Sequence, residues 1–423
     1  MEFLVIEAVV GVMILRYLFE TYLDLRQYAV LKLPTLQLIS QGAISPERFR
    51  KFRAHSIDKS RLYFVHEFAT TLVDCMILLH NILPWLWKRS GSLVLCIGLN
   101  AENEILHSLS FLAAMTLLSQ IFEFPFSLYS TFVIEARHIS NERTIGQFLK
   151  EWLLGQCTSL LLGAPIVAAA IGIVQNGGSY LVIYFWLFSL LGSVATTTLY
   201  PRFIAPLFNK FTPLPNGELR RKIVNLAASL NFPLEKIFVE DGSGRTTHSH
   251  AYMFGVQKKN IVLNDTLFKQ CRDTDEITAI IAHEMGHWKL NHTVYAFVAM
   301  QVPVLLQLGL FFFVRQSNAL FQMFGFDTQP VVIGFYIYQH IVMPVQRLLE
   351  FCMNLLSRSS EFKADAFAKN LGYGRALRAG LIKLQDFNLS VVNTDPWYSA
   401  YRYSHPPLVE RLNALDESMK KSS

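Results

Sequence analysis

Residues 283–287 read His283-Glu284-Met285-Gly286-His287, two histidines four positions apart with a glutamate directly after the first. On a helix, side chains four residues apart lie on the same face, one turn above the other. Both imidazoles can then bind one zinc ion at about 2.0–2.1 Å, and Glu284 is placed to take a proton from a water molecule. The pattern therefore predicts a zinc hydrolase site on a helix. The alternative is a pair of surface histidines on a polar helix.

A third metal ligand is expected from elsewhere in the chain, because catalytic zinc usually has three protein ligands and one open position. Glu361 is the candidate, in the run Ser357-Arg358-Ser359-Ser360-Glu361-Phe362-Lys363-Ala364-Asp365. Asp365 lies one helical turn further on and is predicted to hydrogen-bond a ligand histidine. Two carboxylates on one helix face are also typical of an exposed surface. Their position directly after a predicted membrane span favours the metal site.

The composition indicates a membrane protein. Of 423 residues, 52% are hydrophobic and only 17% are charged, whereas soluble domains carry about 25% charged residues. The net charge of +6 is mild, and no basic helix or arm with interleaved aromatic residues is present, so nucleic-acid binding is not expected. The five cysteines form no CxxC pair, which argues against a thiolate zinc site and a disulfide framework.

Seven segments are long and apolar enough to be predicted as membrane spans, each needing about 20 mostly apolar residues. They are Phe3–Phe19, Leu62–Trp87, Ile105–Phe122, Leu153–Val174, Tyr180–Tyr200, Thr293–Val314 and Val331–Met353. The first loop is strongly basic between Arg26 and Arg61, and basic loops stay in the cytosol. This count places the N-terminus outside or in the lumen and the C-terminus in the cytosol.

The predicted organisation has four parts: spans one to five in residues 1–200, a cytosolic catalytic segment in 201–292, spans six and seven in 293–353, and a C-terminal cytosolic part in 354–423. Within residues 201–292, the pattern of apolar residues predicts two helices and two strands. The predictions are a helix at Leu219–Leu230, strands at Lys236–Glu240 and Asn260–Leu263, and a helix at Asp275–His292.

Four further histidines are candidates for the site. His248, His250 and His292 lie near the motif in sequence, but each is expected to be a polar surface residue. His405 precedes Pro406-Pro407 in a stiff turn before an amphipathic helix. Physical arguments alone give only weak support for a functional role of this histidine.

The sequence resembles the type I CAAX prenyl protease family of integral-membrane zinc proteases along nearly its whole length. The resemblance rests on several motifs besides the HExxH run. They are Pro125–Glu135, His248-Ser249-His250-Ala251-Tyr252, Ile261–Leu267, Ser357–Asp365, His405-Pro406-Pro407 and Glu410-Arg411. The family implies a mainly α, polytopic fold. The implied fold has seven transmembrane helices around an intramembrane chamber, which a cytosolic zinc-metalloprotease domain containing a small β-sheet is expected to close.

The resemblance also implies the activity and the site. The implied reaction removes the last three residues of a CaaX box after prenylation, with a second upstream cut for some substrates. One Zn²⁺ per chain is implied, with His283, His287 and Glu361 as ligands and Glu284 as general base. His405 and Arg411 match residues near the site that contact substrate or the developing oxyanion.

Two residues are candidates for substrate binding. His250 stands where the family usually has the asparagine of an Asn-Ala-Tyr triplet, and histidine can also donate a hydrogen bond. Asn264 lies in the matching Ile261–Leu267 motif. The strand Asn260–Leu263 is expected to pair with the extended substrate by strand addition.

Two other functions remain open from the sequence. One is a membrane quality-control protease with the same zinc site that does not require prenylation. The other is a transporter or scaffold with a structural zinc, although structural sites usually have four closed ligands, often thiolates. The expected partners are farnesylated or geranylgeranylated CaaX proteins and membrane lipid, with no nucleic acid.

The expected location is the endoplasmic reticulum membrane, with the inner nuclear membrane as a further site. The chain closes Lys420-Lys421-Ser422-Ser423, which is similar to a cytosolic dilysine retrieval signal. Such a signal requires the cytosolic C-terminus that the span count predicts.

Overall fold

The computed structural model describes residues 2–33, 46–138, 144–199, 210–241, 251–255, 257–387 and 394–420. Up to residue 199 the described elements are helical. They are α1 (Glu2–Leu31), α2 (Pro46–Leu79), α3 (Ile82–Cys96), α4 (Glu104–Tyr129), α5 (Ile145–Asn176) and α6 (Leu181–Leu199). A π-helical turn Ser130–Glu135 and a last turn Ala136–His138 extend α4, and a 3-10 turn Gly178–Tyr180 precedes α6.

From residue 210 onward, helices and strands are mixed. The strands are β1 (Phe211–Pro213), β2 (Leu234–Glu240), β3 (Ala251–Phe254) and β4 (Lys259–Asn264). The helices are α7 (Glu218–Leu230), α8 (Asp265–Gln270), α9 (Thr274–Lys289), α10 (His292–Gln316), α11 (Asn318–Met323), α12 (Val331–Ala368), α13 (Gly374–Phe387), α14 (Pro396–Arg402) and α15 (Leu408–Lys420). A π-helical turn Lys369–Tyr373 joins α12 to α13.

The chain divides into two compact units. The first unit comprises Met1–Tyr28, Arg53–Phe188 and Val302–Leu348, and the second comprises Ala29–Phe52, Ser189–Gln301 and Leu349–Ser423. The sequence-based domain limits at residues 200, 292 and 353 stay a prediction.

Five helical segments within the described residues are long and apolar enough to cross a membrane. They are Phe49–Leu79, Glu104–His138, Ile145–Asn176, Gly178–Thr196 and His292–Gln316. Helices α1 and α12 occupy the other two predicted spans, but acidic and basic residues interrupt α1, and glutamine, histidine and arginine interrupt α12. The structure therefore supports a helical protein with several membrane-length segments.

Two predicted helix boundaries are wrong, and asparagine explains both. The predicted span Leu62–Trp87 is two helices, since α2 ends at Leu79 and Asn81 has φ 52° before α3 begins. The predicted helix Asp275–His292 ends at Lys289, and Asn291 has φ 55° before α10 begins. Asparagine tolerates this left-handed conformation better than other residues with a Cβ, so it can redirect the chain between helices.

The first unit has a core of aliphatic and aromatic side chains from several helices. Examples are Met13, Leu78, Phe111, Ile171 and Ile333. Polar contacts also join these helices: the His66 ring and the Glu123 carboxylate lie 2.8 Å apart, and Glu104 accepts a 2.6 Å hydrogen bond from the Val331 amide. Such pairing is expected because an unpaired polar group in an apolar environment is costly.

The second unit contains one sheet with strand order β1-β2-β4-β3. Strands β2 and β4 are parallel, while β1–β2 and β3–β4 are antiparallel. In β4, Ile261, Val262 and Leu263 are all buried, as expected for a central strand covered on both faces. The predicted strands at Lys236–Glu240 and Asn260–Leu263 are confirmed, but strand addition to β4 is wrong, because both of its edges are already paired.

Helix α9 is fixed by packing and by charge. The predicted helix at Leu219–Leu230 is confirmed as α7. The buried residues of α7 follow helical spacing and pack in the same hydrophobic core as the buried apolar residues of α9. Lys222 Nζ lies 2.6 Å from the Asp275 carboxylate, and Lys383 Nζ donates to both oxygens of buried Glu276 at 2.6 and 2.7 Å. These contacts hold α9 between α7 and α13.

Helices α9 and α12 approach closely at Gly286. A Cβ added at this position would lie 3.0 Å from Phe367 Cδ1 and 3.3 Å from Phe367 Cβ. Phe367 is on α12, two residues after Asp365, so the missing side chain at Gly286 lets the carboxylate-bearing face of α12 reach α9. This glycine is required for space, since its backbone is ordinary helix.

We expect Gly286→Val to lower the free energy of unfolding by about 1–3 kcal/mol, the usual cost of overpacking a core. The measurement is the thermal unfolding midpoint in detergent. Gly309→Val is the matched control, because a Cβ at that helical position meets nothing within 4 Å. Equal shifts in the two variants would contradict the assigned role of Gly286.

Candidate metal centre

Two imidazoles lie next to each other on the side of α9 that faces α12. Asp273 caps the helix by accepting from the Asp275 amide, and the apolar residues of the opposite face anchor it in the core. His283 is buried and His287 is half-buried, and their Nε2 atoms lie 3.2 Å apart. The helical spacing of the motif therefore places both nitrogens at one point.

Glu361 brings a carboxylate from α12 to the same point. Its Oε2 lies 3.4 Å from His283 Nε2, and its Oε1 lies 3.4 Å from His287 Nε2. These three residues form a group whose donor atoms all lie within 4.8 Å of one another. Two ligands bound to zinc at about 2.0–2.1 Å with a tetrahedral angle are roughly 3.4 Å apart. The donor set and its spacing therefore fit a zinc ion.

Asp365 and Arg411 both contact the candidate ligand His283. The Nδ1 of His283 lies 2.8 Å from Asp365 Oδ1, which places the imidazole proton on Nδ1 and leaves the Nε2 lone pair free. Arg411 donates to both oxygens of Asp365, through Nε at 2.8 Å and Nη2 at 2.6 Å. Its Nη1 also lies 3.5 Å from Glu361 Oε2. One guanidinium group thus contacts the carboxylates of both Glu361 and Asp365.

Burial and pairing set the charges of this cluster. Burial raises the pKa of Glu361 and of Asp365, but the stronger combined effect of their basic partners holds both values below the ordinary range. For His283, burial lowers the pKa, yet the contacts with Asp365 and Glu361 outweigh it and raise the pKa to about 9. The two acids are therefore ionised, and a pKa of about 9 means that His283 must lose its Nε2 proton before that nitrogen can bind a metal ion.

Glu284 differs from these acids. It is partly buried on α9, and burial raises the pKa of its carboxyl group, opposed by the positive charge of His283 and His287. A carboxylate whose pKa is raised is a better proton acceptor than an ordinary glutamate.

The C-terminal segment places His405 at the rim of the site. Its side chain is 69% exposed, and its Nε2 lies 3.4 Å from Glu361 Oε1. Behind it, buried Arg358 donates to Ser399 Oγ at 2.8 Å and pairs with Glu410, and Ser399 donates to Glu410 at 2.9 Å. This network ties α12, α14 and α15 together and so fixes the turn that carries His405. The sequence flagged Glu410 only as part of a motif and gave no role to Arg358.

Asn264 has a structural contact that the sequence did not suggest. It is buried, and its Oδ1 accepts from the Thr266 amide at 3.1 Å and from Thr266 Oγ1 at 2.9 Å, which caps α8. Its substrate-binding role stays a prediction. His248 and His250 lie outside the described residues.

His292 is the residue that sequence reasoning missed. The expectation of a surface side chain is wrong, because His292 is only 8% exposed and its Nδ1 lies 3.1 Å from His287 Nδ1. The only sequence signal was the asparagine before it, which permits the turn that brings its ring back.

Comparisons with known proteins cover almost the whole chain. A family model described as the CAAX prenyl protease N-terminal part, with five membrane helices, matches residues 27–210, and a model for peptidase family M48 matches residues 213–419. A protein from Oryza sativa subsp. japonica named CAAX prenyl protease 1 homolog is 60% identical over 417 residues, 98% of each chain. A human protein of the same name is 39% identical, covering 96% of this chain and 94% of its own.

A solved structure is also similar. The crystal structure of S. mikatae Ste24p superposes with a TM-score of 0.84 at 35% identity, covering 96% of this chain and 98% of the other. The likeness in fold therefore extends over both units of the chain.

We expect Asp365→Asn to weaken zinc binding by about 10–100-fold, the usual effect of losing the hydrogen-bond partner of a ligand histidine. The neutral amide removes the negative charge that His283 and Arg411 share. The measurement is the zinc dissociation constant by competition with a chelator. Asp416→Asn is the matched control, since Asp416 pairs with Arg378 at 3.0 Å and has no contact with the donor atoms. An unchanged constant for Asp365→Asn would contradict the assignment.

Proposed function

This chain belongs to peptidase family M48 and within it to the CAAX prenyl protease 1 group, and on that premise we propose that it removes the C-terminal three residues of prenylated CaaX proteins. The observation that carries the proposal is the convergence of His283, His287 and Glu361, with donor atoms 3.2–3.4 Å apart. The reaction is hydrolysis of one peptide bond.

The proposed roles follow from the contacts at the site. His283, His287 and Glu361 would hold one Zn²⁺ per chain. A bound zinc ion polarises a peptide carbonyl and activates water for attack. Glu284 accepts the proton of the attacking water and returns it to the leaving amine, so that the side chain is restored after each cut.

His405 and Arg411 are proposed to act differently from each other. His405 is exposed and lies beside Glu361, so its ring can donate a hydrogen bond to substrate or to the developing oxyanion. Arg411 has a 13% exposed side chain and is bound to Asp365 through two nitrogens. Its geometry favours positioning of the two carboxylates, and the sequence-based role at the oxyanion stays a prediction.

The substrate backbone is proposed to pair with β3. Among the described residues, this strand (Ala251–Phe254) is the outermost strand next to β4, and it contacts α9. A strand at the edge of a sheet can accept another extended chain along its outer side. His250 directly precedes β3 in sequence, so a role for its ring beside the bound peptide remains part of the proposal.

We expect Glu284→Gln to retain zinc and to lower cleavage of a farnesylated CaaX peptide by at least about 10²-fold, because the amide cannot accept a proton. Metal content and initial rate are measured on the same sample, with a chelator-treated sample as the metal-free reference. Glu235→Gln is the control, since Glu235 is exposed on β2. Near-normal turnover by Glu284→Gln would overturn its role as base.

The same assay tests the substrate class. A matched peptide without the prenyl group should be cleaved much more slowly than the farnesylated one. Equal rates would favour a quality-control protease, and zinc binding without cleavage of either peptide would favour a scaffold or transporter.

Seven spans, a cytosolic catalytic unit and an endoplasmic reticulum location are proposed as well. Support comes from the five apolar helices, the helices in both remaining predicted spans and the basic segment before Arg61. The endoplasmic reticulum and inner nuclear membranes are the locations that the family resemblance implies.

An N-glycosylation acceptor loop inserted within residues 97–103 should be modified in microsomes, because seven spans place this loop in the lumen. The same insert after Asn216, in the exposed turn before α7, should remain unmodified. The measurement is a mobility shift removed by endoglycosidase. The reverse pattern would contradict the proposed orientation.

A further inference from the structure

The second ligand histidine has another histidine as its partner. Within the described residues, His292 Nδ1 lies 3.1 Å from His287 Nδ1, the ring centroids are 5.1 Å apart, and the rings are tilted by 73°. His292 is buried beside a metal centre whose ligands, base and carboxylate partners are already assigned other residues. Its position is therefore not explained by the roles proposed above.

A break between two helices creates this contact. Residues five apart in a continuous helix are rotated by about 140° around the axis, so their side chains do not meet. Here α9 ends at Lys289, Leu290 and Asn291 donate back to Gly286 and Trp288, and Asn291 takes φ 55°. The left-handed residue redirects the chain, so that His292 opens α10 with its ring against His287.

The contact joins the same atom, Nδ1, of both rings. One nitrogen must donate and the other must accept, because a neutral imidazole carries a proton on only one nitrogen. His287 directs Nε2 toward His283 Nε2 and Glu361, so a metal ligand needs the lone pair there and the proton on Nδ1. His292 must then accept through Nδ1 and carry its own proton on Nε2.

We propose that His292 is a positioning residue that fixes the tautomer and the ring orientation of His287 for metal binding. It does for His287 what Asp365 does for His283, but with a neutral acceptor in place of a carboxylate. The proposal rests on the proposed zinc site. It makes the left-handed turn at Asn291 part of that site.

The test compares two substitutions of His292 by zinc affinity, measured by chelator competition on the full-length protein. His292→Leu fills the space without an acceptor and should weaken zinc binding by about 10–100-fold. His292→Asn should recover most of this loss, because its Oδ1 occupies the position of the imidazole Nδ1 and accepts the same proton. Visible absorption of the cobalt-substituted variants should change for leucine and be restored for asparagine.

Two substitutions of Asn291, in the turn before His292, provide a second and independent test. Asn291→Gly keeps the left-handed conformation and should bind zinc within about twofold of the unchanged chain. Asn291→Val disfavours that conformation, moves His292 and should weaken zinc binding as His292→Leu does. Thermal unfolding of the metal-free proteins shows whether any variant has simply lost its fold.

The outcomes separate this inference from the proposed function. If Asp365→Asn weakens zinc binding while His292→Leu leaves it unchanged, the metal site stands and the role of His292 is overturned. If both His292 variants lose zinc equally without rescue by asparagine, packing rather than the hydrogen bond is responsible, and the proposal also fails. If the unchanged chain binds no zinc, the proposed function fails and the inference fails with it.

Discussion

The pairing of the buried α12 carboxylates with basic side chains is the interaction on which the candidate metal site depends. Glu361 and Asp365 place two ionised carboxylates in a buried position, and buried charge is costly unless it is paired. Arg411 contacts both, and the contacts of Glu410 with Arg358 and Ser399 help to hold its helix α15 against α12. The remaining negative charge faces the two imidazoles of α9.

The arrangement of the candidate ligands was predictable wherever it depends on local periodicity. Four-residue spacing puts His283 above His287, and the same spacing puts Asp365 one turn beyond Glu361. The approach of these two helices is not local, because it depends on the missing side chain at Gly286 and on the position of Phe367. The sequence motif contained that glycine, but its partner lies 81 residues away and no spacing rule identifies it.

The wrong predictions concern two features: the direction of the chain between helices and the pairing of strands in the sheet. Local sequence patterns determine neither feature. At Asn81 and Asn291, one left-handed residue splits what hydropathy and periodicity read as continuous helices, and the second break turns His292 from surface to interior. Strand β4 was recognised correctly by its apolar run, yet an apolar run indicates a central strand as readily as an accessible one. Whether a strand lies at the edge or in the centre is decided by the assembly of the whole sheet.

The mixture of donor atoms has a consequence for metal selectivity. Two imidazole nitrogens and one carboxylate oxygen, held 3.2–3.4 Å apart, suit borderline ions with short bonds. Calcium and magnesium prefer shells of oxygen atoms and bind imidazole poorly, so millimolar amounts of either would compete weakly. Copper has the higher intrinsic affinity for such donors, and the geometry of the three donor atoms does little to exclude it. Which metal ion occupies the proposed site therefore depends on which metals the surrounding compartment makes available.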